Sequence, residues 1–573
     1  MPAIRHLIIR NFRAIKEFMW YPNPGLNCLI GPGDSGKSTV LDAIDVVLGA
    51  RRSITFNDAD FNCGNISQPI EILATIGALE DELQNFEYYG NVLRGFNLQD
   101  RTIFDEPQHG LETVLTVRLR VGADLEPDWT LFSERSDTAG QEYRLKWKHR
   151  IIVSPNRLGV MSYNHLTWGS GSVLPRLSTD GIETGETLAA VSRIARSAFP
   201  SPVPPNIQET INKVQSVADD MAVAAHGVKA ALDPKAVALS NGAISLHDNN
   251  GTPLRQLGTG STRLLVSGLQ KLASESSMLL VDEAEYGLEP FRISKFLHEL
   301  GAKNVHSGKQ VFITTHSPHV LRELQVHQLH VLRKAEVPFE PPWSQYSHWA
   351  YTANANDSQA QATLRACAEA FFSKKVIVAE GKTEIGLVRG IDMFEESQNR
   401  QSLLSNGAFC ADGGGSKLFE RAMVFAQFGY PTAIFKDSDI STQHTNSTAL
   451  ATKQGIQIIE WGHGWATEEA LFNCCPESLI LELLDLAVDR NSADAIDTHI
   501  RNSSNHSYDL NKCKASFEEP MRGCLASSAK KYGWYKDIEP AEYIALNVIG
   551  PNRNTFKKEL IAVIDSLFQW AKS

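Results

Sequence analysis

A glycine-rich loop near the start of the chain has the residue types that hold nucleotide phosphates. Residues 31–38 read GPGDSGKS, which fits the pattern GxxxxGK[ST] between an apolar run over 26–30 and a helix predicted over 38–48. In such a loop, backbone N–H groups surround the phosphates, the lysine reaches the β- and γ-phosphates, and the hydroxyl binds Mg²⁺. The alternative, a tight turn with a chance lysine, is disfavoured by the flanking elements. The predicted nucleotide-binding residues here are Gly31, Gly33, Gly36, Lys37, Ser38 and Thr39.

Two later segments supply what ATP hydrolysis needs besides the loop. The apolar run over 278–281 ends in Asp282 and Glu283, which would hold Mg²⁺ through water and polarise the attacking water. The stretch over 287–290 follows like the D-loop of an ABC ATPase. A second apolar run then ends in His316, which would contact the γ-phosphate, although a lone histidine is more often structural.

The segment over 257–263, LGTGSTR, occupies the place of an ABC signature loop. Gly260 would bind nucleotide at the start of a helix, and Gly258 stands where a serine is usual. A plain glycine–threonine turn is the alternative. If the signature interpretation holds, each ATP lies between two ATPase heads, so we expect a homodimer or a higher homo-oligomer.

Acidic residues follow two apolar runs in the second half of the chain. Glu380 and Glu384 come after the run over 376–379, and Asp437 and Asp439 come after the run over 432–435. The carboxyl ends of parallel strands converge at one edge of a sheet, where α/β proteins place their sites. Oxygen ligands there suit Mg²⁺ or Mn²⁺, and two such ions could promote phosphodiester hydrolysis. Each acid taken alone is more often a solvated surface residue.

These motifs, in this order, resemble the OLD (overcoming lysogenisation defect) family, whose ATPase is of the SMC and RecF type and precedes a Toprim domain. The resemblance rests on the first strand and turn over 4–13, the loop GPGDSGKSTVLDAI, the block LLVDEAEYGLEP, the block ITTHSPHVL and the acids above. One departure is Gly33, where the family's loop usually carries asparagine. The Gabija defence nuclease, itself of OLD type, is also similar.

The resemblance implies a particular set of site residues in the second half. One metal position would be formed among Glu380, Glu384, Asp437 and Asp439, and a second would add Glu468 or Glu469, of which we choose Glu469 as the metal ligand. A lysine near the C-terminus would stabilise charge on the scissile phosphate. Lys557 is the choice for this catalytic role, with Lys558 next to it as the alternative.

Length and composition predict several domains. At 573 residues the chain exceeds one compact core. We expect an α/β protein with an ABC/SMC-RecF-like ATPase domain over 1–345, including a helical insertion over 174–238. A linker would follow over 346–370 and a Toprim nuclease domain with a helical C-terminal region over 371–573. The insertion carries apolar residues at helical spacing and is a candidate dimerisation element.

Charge and cysteine content restrict the class of protein. The net charge of −11 argues against bulk coating of nucleic acid but not against a local basic groove. Eight cysteines without a CxxC pair indicate reduced thiols and no zinc site, and no apolar run could cross a bilayer, so we expect a cytoplasmic protein.

Together the motifs predict an ATP-regulated, Mg²⁺- or Mn²⁺-dependent DNA endonuclease or nickase in antiphage defence or repair, with a helicase as a possible partner. A non-cleaving, RecF/SMC-like DNA-binding ATPase would explain the first half and leave the acids without a role. A topoisomerase would need a nucleophilic tyrosine in a separate DNA-gate domain, and a primase would need nucleotide-selecting elements; neither is recognisable in the sequence.

Overall fold

Two α/β regions follow each other along the chain in the computed structural model. The structure describes residues 1–51, 54–158, 165–168, 172–177, 185–198, 202–221, 227–232, 244–273, 277–303, 308–334, 347–439 and 445–573. The first region holds the phosphate loop and the second holds the acids.

The first region is built on strands that alternate with helices after the phosphate loop. Its strands are β1 (Ala3–Phe12), β2 (Ile15–Trp20), β3 (Leu26–Ile30), β4 (Ile70–Gly77), β5 (Leu93–Phe96), β6 (Ile103–Phe104), β7 (Glu112–Val121), β8 (Pro127–Phe132), β9 (Asn156–Leu158), β10 (Met278–Val281), β11 (Gln310–Thr314), β12 (Leu329–Lys334) and β13 (His348–Tyr351). Its helices are α1 (Lys37–Leu48), α2 (Phe86–Tyr89), α3 (Glu134–Thr138), α4 (Trp147–Val153), α5 (Leu174–Leu177), α6 (Gly185–Ser197), α7 (Pro205–Asp220), α8 (Thr259–Ala273), α9 (Pro290–Glu299) and α10 (Pro318–Glu323).

One mixed sheet joins these thirteen described strands. Its order is β6-β5-β7-β4-β1-β2-β13-β12-β3-β11-β10-β9, with β8 paired to β7. From β12 to β9 the neighbouring strands are parallel, with β11 between β3 and β10. Because parallel strands end at the same edge, the phosphate loop after β3 and Asp282 after β10 face each other across the end of β11.

The predicted insertion contains three helices among its described residues. It holds α5, α6 and α7, while residues 178–184, 199–201, 222–226 and 233–238 lie outside the described residues. No residue of α7 is buried among the described residues, and Val214 and Val217 are 49% and 57% exposed. These two valines are therefore not covered by the described part of the ATPase core.

The second region contains a smaller, all-parallel sheet. Its strands are β14 (Lys375–Ala379), β15 (Ala408–Asp412), β16 (Thr432–Lys436) and β17 (Gln457–Glu460), in the order β15-β14-β16-β17. The chain passes from β14 to β15 on one side and then to β16 on the other. The crevice between the carboxyl ends of β14 and β16 is thus a topological switch point, the usual place for a site in such sheets.

Helices cover the smaller sheet and form the C-terminal part of the chain. They are α11 (Ser358–Ala366), α12 (Lys382–Ser397), α13 (Leu418–Gln427), α14 (Thr445–Lys453), α15 (Thr467–Cys474), α16 (Glu477–Asn491), α17 (Ala493–Ser503), α18 (Leu510–Ala515), α19 (Glu519–Tyr532), α20 (Ile538–Tyr543), a π-helical turn (Ile544–Ile549) and α21 (Lys558–Lys572). Helix α12 packs closely on α20. This contact requires glycine at two positions of α12, because a Cβ on Gly386 or Gly390 would lie 2.3 Å from a backbone carbonyl oxygen of α20. This contact fixes the helix that carries Glu384.

The segment predicted as a linker, 346–370, is structured in its described part. Strand β13 pairs with β12 and, at one position, with β2, and α11 packs on α13 and α10. One buried core runs from Phe296 and Leu321 in the first region to Phe371 and Val376 in the second. The two regions are therefore joined by a continuous apolar core, and the exact domain boundaries stay a prediction.

The composition also predicts that the cysteines are reduced thiols and that no segment crosses a membrane. All eight cysteines lie in the described ranges as free thiols. Among the helices of the described residues, none combines the length and the apolar character needed to cross a bilayer.

Candidate nucleotide site and candidate metal site

The phosphate loop curls around the ammonium group of Lys37. Its Nζ donates to the carbonyl oxygens of Gly31 and Pro32, at 3.1 and 3.0 Å, and lies 3.4 Å from Ser35 Oγ. Burial lowers the pKa of Lys37. At Gly31 a Cβ would lie 2.3 Å from a neighbouring carbonyl, so glycine is required there for close packing. The loop therefore has the form of a phosphate cradle with its lysine held inside.

The remaining predicted loop residues lie around this cradle. Gly36 has φ +88°, in the left-handed region that favours glycine, and it precedes α1. Gly33 has open space around the position of a Cβ, so its difference from the usual asparagine leaves the backbone path unaffected. Thr39 is buried in α1, whereas Ser38 is exposed toward Asp282. These positions fit a nucleotide with its phosphates over the helix N-terminus.

Asp282 is held between the phosphate loop and strand β11. Its Oδ1 accepts from Thr314 Oγ1 at 2.6 Å and lies 3.3 Å from Ser38 Oγ. The two groups predicted to share Mg²⁺ are thus adjacent. Glu283, the predicted base, is exposed and has φ +48°, an unfavourable conformation for this residue type that is held by a hydrogen bond from its N–H to Thr314 Oγ1.

Arginine 157 is a component of this site that sequence reasoning missed. It lies on β9, the edge strand, and contacts Asp42 at 2.5 Å, Asp45 at 3.4 Å and Asp282 at 3.6 Å. Arg157 therefore connects Asp282, the aspartate predicted to bind Mg²⁺, to the helix after the phosphate loop. The sequence around it, SPNRLG, has no pattern that points to such a role.

The predicted signature segment packs directly on the predicted D-loop. A Cβ on Gly260 would lie 2.2 Å from the carbonyl oxygen of Gly287, so only glycine allows this contact. Arg263, one turn later on α8, is 1% exposed and donates to the carbonyl oxygen of Asp282 at 2.5 Å. A movement of α8 would therefore displace the backbone of Asp282, the aspartate that the sequence assigns to Mg²⁺.

His316 follows β11 on the exposed side of the nucleotide site. Its backbone N–H donates to Glu285 Oε1 at 2.7 Å, which fixes the turn after the strand. Its ring lies 6.3 Å from the ring of Phe372, three residues before β14. The residue predicted to sense γ-phosphate therefore touches the segment that leads into the sheet carrying Glu380.

In the second region, the strand ends bring Glu380, Glu384 and Asp437 together, as the sequence predicts. Glu380 Oε2 accepts from the backbone N–H of Asp437 at 2.9 Å, across the switch point between β14 and β16. Glu384 lies in the first turn of α12, where its Oε2 accepts from the N–H of Gly381 at 2.9 Å and caps the helix. One acid on a helix, Glu384, and two acids at strand ends, Glu380 and Asp437, thus lie at one crevice.

A threonine connects two of these acids. Thr467 Oγ1 lies 2.6 Å from Glu384 Oε1 and 2.9 Å from Asp437 Oδ1, and the N–H of Thr467 also donates to Asp437 Oδ1 at 2.9 Å. Thr467 is completely buried at the start of α15. Sequence reasoning gave Thr467 no role.

The acids perturb one another electrostatically. Burial, followed by the repulsion of Glu384, raises the pKa of Asp437 to about 8. Burial also raises the pKa of Glu384, with Glu380 adding to the effect. For Glu468, burial and then the charge of Glu384 raise the pKa to about 7. Such a gathering of buried carboxylates without enough positive charge is typical of a functional site.

Glu468 and Glu469 occupy different parts of the site. Glu468 is 6% exposed and belongs electrostatically to the cluster of Glu384 and Asp437. Glu469, our choice from the resemblance, caps α15 by accepting from the N–H of Ala466 and lies 2.8 Å from Lys530 Nζ. Of the two alternatives, the structure brings Glu468 into the acid cluster, whereas Glu469 lies beside the cluster and contacts Lys530.

Lys530 is the lysine that reaches the predicted acids in the described structure. Its Nζ lies 3.1 Å from Asp439 Oδ2 and 2.8 Å from Glu469 Oε2, and these carboxylates raise its pKa. It projects from the last turn of α19. In the sequence this lysine stands in SSAKKYGW, a helix end where lysines are common, so no local signal distinguishes it.

Lys557 and Lys558 lie elsewhere. Lys557 precedes α21, and its backbone N–H donates to the carbonyl of Cys474. Its charge acts on Cys474 and Glu519. In the described residues, no hydrogen bond or ion pair joins the ammonium of Lys557 or Lys558 to the acid cluster. The structure therefore does not bring either candidate lysine to the acids, and their catalytic role stays an untested prediction.

The donor atoms of the acid cluster are of the kind that binds a divalent cation. Within the described residues no three acid, histidine or cysteine side chains already stand at metal-binding geometry. Glu384, Asp437 and Glu468 nevertheless form an oxygen-rich, buried set whose raised pKa values reflect uncompensated negative charge. Hard oxygen donors and a need for positive charge fit Mg²⁺ or Mn²⁺.

Comparison with protein families agrees with this division. Residues 26–322, more than half of the chain, match the family described as "AAA domain, putative AbiEii toxin, Type IV TA system". Residues 371–439 match "Overcoming lysogenization defect protein-like, TOPRIM domain". The chain belongs to this AAA ATPase family, with the ATPase–Toprim architecture of an OLD-family nuclease. The predicted family and the α/β fold class, an ATPase domain followed by Toprim and helices, are thereby confirmed.

Individual relatives match parts of the chain. DNA replication and repair protein RecF of Nitrosococcus oceani is 47% identical over 53 residues, which are 9% of this chain and 14% of RecF. The chain thus spans about a seventh of the length of the curated relative that it matches.

Three solved structures match part of the chain. An SMC head bound to the C-winged helix domain of ScpA has a TM-score of 0.34 at 14% identity, covering 61% of this chain and 98% of that one. The SMC head domain from Thermotoga maritima has a TM-score of 0.28 at 12% identity, covering 61% and 99%. The recombination mediator RecF in the RecFOR pathway has a TM-score of 0.28 at 13% identity, covering 56% and 94%.

Proposed function

We propose that this OLD-family protein is an ATP-regulated DNA endonuclease or nickase that depends on Mg²⁺ or Mn²⁺. The observation that carries the proposal is the buried acid cluster at the switch point of the Toprim sheet, where Asp437 and Glu384 lie within hydrogen-bond distance of one hydroxyl. A buried set of repelling carboxylates stabilises nothing by itself, so a cationic ligand explains it best.

Glu380, Glu384, Asp437 and Glu468 would hold the cations, and Asp439 and Glu469 would border them. Bound divalent ions would supply charge stabilisation at a phosphodiester and a more acidic water. The protein's own residues would orient this centre: Thr467 between two acids, and Lys530 between Asp439 and Glu469. We propose Lys530, rather than Lys557, as the cation that contacts the scissile phosphate, because it already lies beside the acids.

In the ATPase region, Lys37 and Ser38 would bind the phosphates and Mg²⁺ of ATP, and Asp282 would complete the Mg²⁺ site. Glu283 and His316 would act on the γ-phosphate and its attacking water. Their exposure agrees with a site closed by Gly260 of a second head, so we propose at least a homodimer.

Since His316 contacts Phe372, ATP binding would be relayed along the segment entering β14. Antiphage defence or repair, a cytoplasmic location and a helicase partner stay proposals from the resemblance.

The deciding experiment incubates supercoiled plasmid with the protein and Mg²⁺ or Mn²⁺, with and without ATP. Nicked or linear product that disappears with EDTA supports the nuclease. Relaxed topoisomers would instead indicate a topoisomerase. Binding without any cleavage, under all metal and nucleotide conditions, would favour the RecF/SMC-like DNA-binding ATPase, the candidate that the RecF similarity supports.

A further inference from the structure

The side chain of Thr467 lies in an unusual polar environment. It is 0% exposed, and its Oγ1 has three close partners: Trp461 Nε1 at 2.7 Å, Glu384 Oε1 at 2.6 Å and Asp437 Oδ1 at 2.9 Å. An indole N–H is a donor only, whereas a threonine hydroxyl has one hydrogen and two lone pairs. Trp461 therefore occupies a lone pair and leaves the single hydrogen for the acids.

One hydrogen cannot serve two carboxylate oxygens fully. Asp437 Oδ1 also receives the backbone N–H of Thr467 at 2.9 Å, so Asp437 keeps a donor whatever side chain stands at this position. Glu384 Oε1 has the shorter contact to the hydroxyl, at 2.6 Å, and its other oxygen is engaged by Gly381. The hydroxyl is thus the group that fixes the inner oxygen of Glu384 relative to Asp437.

We propose that Thr467, oriented by Trp461, is a positioning residue that sets the separation of Glu384 and Asp437 for a divalent cation. This inference rests on the metal-dependent function proposed above and adds a residue to it. The indole, itself 2% exposed and packed on Phe435 of β16, connects the hydroxyl to the rigid part of the sheet. Groups that orient metal ligands in this way usually change metal affinity by about 10–100-fold when they are removed.

The test measures binding of Mn²⁺ to the full chain by isothermal titration and by the loss of the free-ion EPR signal, without nucleotide or DNA. Thr467→Val keeps the branched shape and removes the hydroxyl, and we expect it to weaken Mn²⁺ binding at the acid cluster by about 10-fold or more. Thr467→Ser should stay within about 3-fold of wild type, since it retains the hydroxyl. Trp461→Phe should fall between the two.

A matched control is Thr432→Val, on strand β16 of the smaller sheet. Thr432 is 3% exposed, and its hydroxyl donates to the carbonyl of Tyr430, away from the acids. Mn²⁺ binding should be unchanged in this variant. If Thr467→Val does not fold, Thr467→Ala and Thr467→Ser form a second pair that differs only in the hydroxyl.

The outcomes separate this inference from the proposed function. If the hydroxyl-free variants bind Mn²⁺ as wild type does, while Asp437→Ala does not bind it, Thr467 has no positioning role and the metal site stands. If Asp437→Ala also binds Mn²⁺ as wild type does, the metal site itself is wrong. Loss of Mn²⁺ affinity in Thr467→Val and Thr467→Ala, with recovery in Thr467→Ser, supports the inference.

Discussion

The nucleotide site and the acid site are built in opposite ways. Around the phosphate loop three of the groups that would act on ATP are exposed, namely Ser38, Glu283 and His316, and the loop backbone forms most of the site. At the switch point of the smaller sheet, Glu384, Thr467 and Glu468 are buried, and side chains shape the site. An open site needs another surface to close it, whereas the acids are gathered by one chain. This difference agrees with our proposal that ATP regulates the protein at the first site and that DNA is cleaved at the second.

Removing one acid is the most direct test of the difference between the two sites. Asp437→Ala should lower plasmid cleavage by about 10³-fold, because bound metal contributes several kcal/mol to stabilising a phosphodiester transition state. ATP affinity, measured with a fluorescent analogue, should be unchanged because the two sites lie at different sheets. Asp485→Ala, an exposed acid on α16, serves as the control. Cleavage at the wild-type rate by Asp437→Ala would defeat the assignment of the Toprim site.

The reciprocal change acts on the nucleotide site alone. Lys37→Ala should weaken ATP binding by about 10–100-fold, since it removes charge-assisted hydrogen bonds to phosphate. Mn²⁺ binding at the acids should stay as in wild type, and exposed Lys16→Ala should change neither quantity. Equilibrium binding of both ligands to each variant checks this. A parallel loss of Mn²⁺ binding in Lys37→Ala would mean that the sites are not separable.

A finer comparison concerns whether ATP binding or ATP hydrolysis carries the signal. Glu283 and His316 retain the groups for hydrolysis, but Gly258 alters the signature loop, so we expect slow turnover and a nuclease that responds to binding. Glu283→Gln should bind ATP without hydrolysing it and should show the same change in cleavage rate on ATP addition as wild type. A ligand shifts such an equilibrium only by its differential affinity for the two states. If the response disappears while binding persists, hydrolysis is required.

The open character of the nucleotide site also predicts an effect on assembly. The exposed face of α7 is our candidate dimer contact, and burying it would be favourable by the hydrophobic effect. Val214→Glu with Val217→Glu, or deletion of 174–238, should convert dimer to monomer in multi-angle light scattering. Asn212→Glu adds a charge on the same helix as a control. An unchanged dimer after deletion would exclude the insertion from dimerisation.

The smallest expected effect concerns acid stability of the ATPase sheet. Burial lowers the pKa of His6 and His348 to about 4 and that of His330 to about 3, from an ordinary value of 6.5. Below pH 6.5 these histidines bind protons in the unfolded chain but stay neutral in the folded sheet. Their contribution to the free energy of unfolding is therefore complete above pH 6.5 and declines as the pH falls toward 4. At pH 5 the loss should be about 1–2 kcal/mol per histidine.

Denaturant unfolding at pH 7.5, 6 and 5 measures this loss. His330→Gln, which cannot titrate and can still accept from Trp20, should show a smaller decline than wild type. Exposed His109→Gln should decline as wild type does. Equal slopes for His330→Gln and wild type would show that His330 does not contribute to the acid sensitivity of the sheet.

The sequence by itself determined the features that are local in the chain. The phosphate loop is eight consecutive residues between a strand and a helix, so its form follows from the glycines at fixed positions. Glu380 and Asp437 could be placed at one edge because parallel strands end together, which requires only that two apolar runs be strands. The linker prediction was weaker, since a short strand such as β13 gains its stability from neighbours, not from its own pattern.

Tertiary structure decided which side chains complete each site. Thr467 meets Glu384 across 83 positions of sequence, Lys530 meets Glu469 across 61, and Arg157 meets Asp45 across 112. Such contacts depend on which face of a helix or edge strand turns inward, and this is set by packing such as that of α12 on α20. A lysine at a helix end looks the same in sequence whether it faces solvent or an acid. For this reason Lys530, and not Lys557, lies beside the acids.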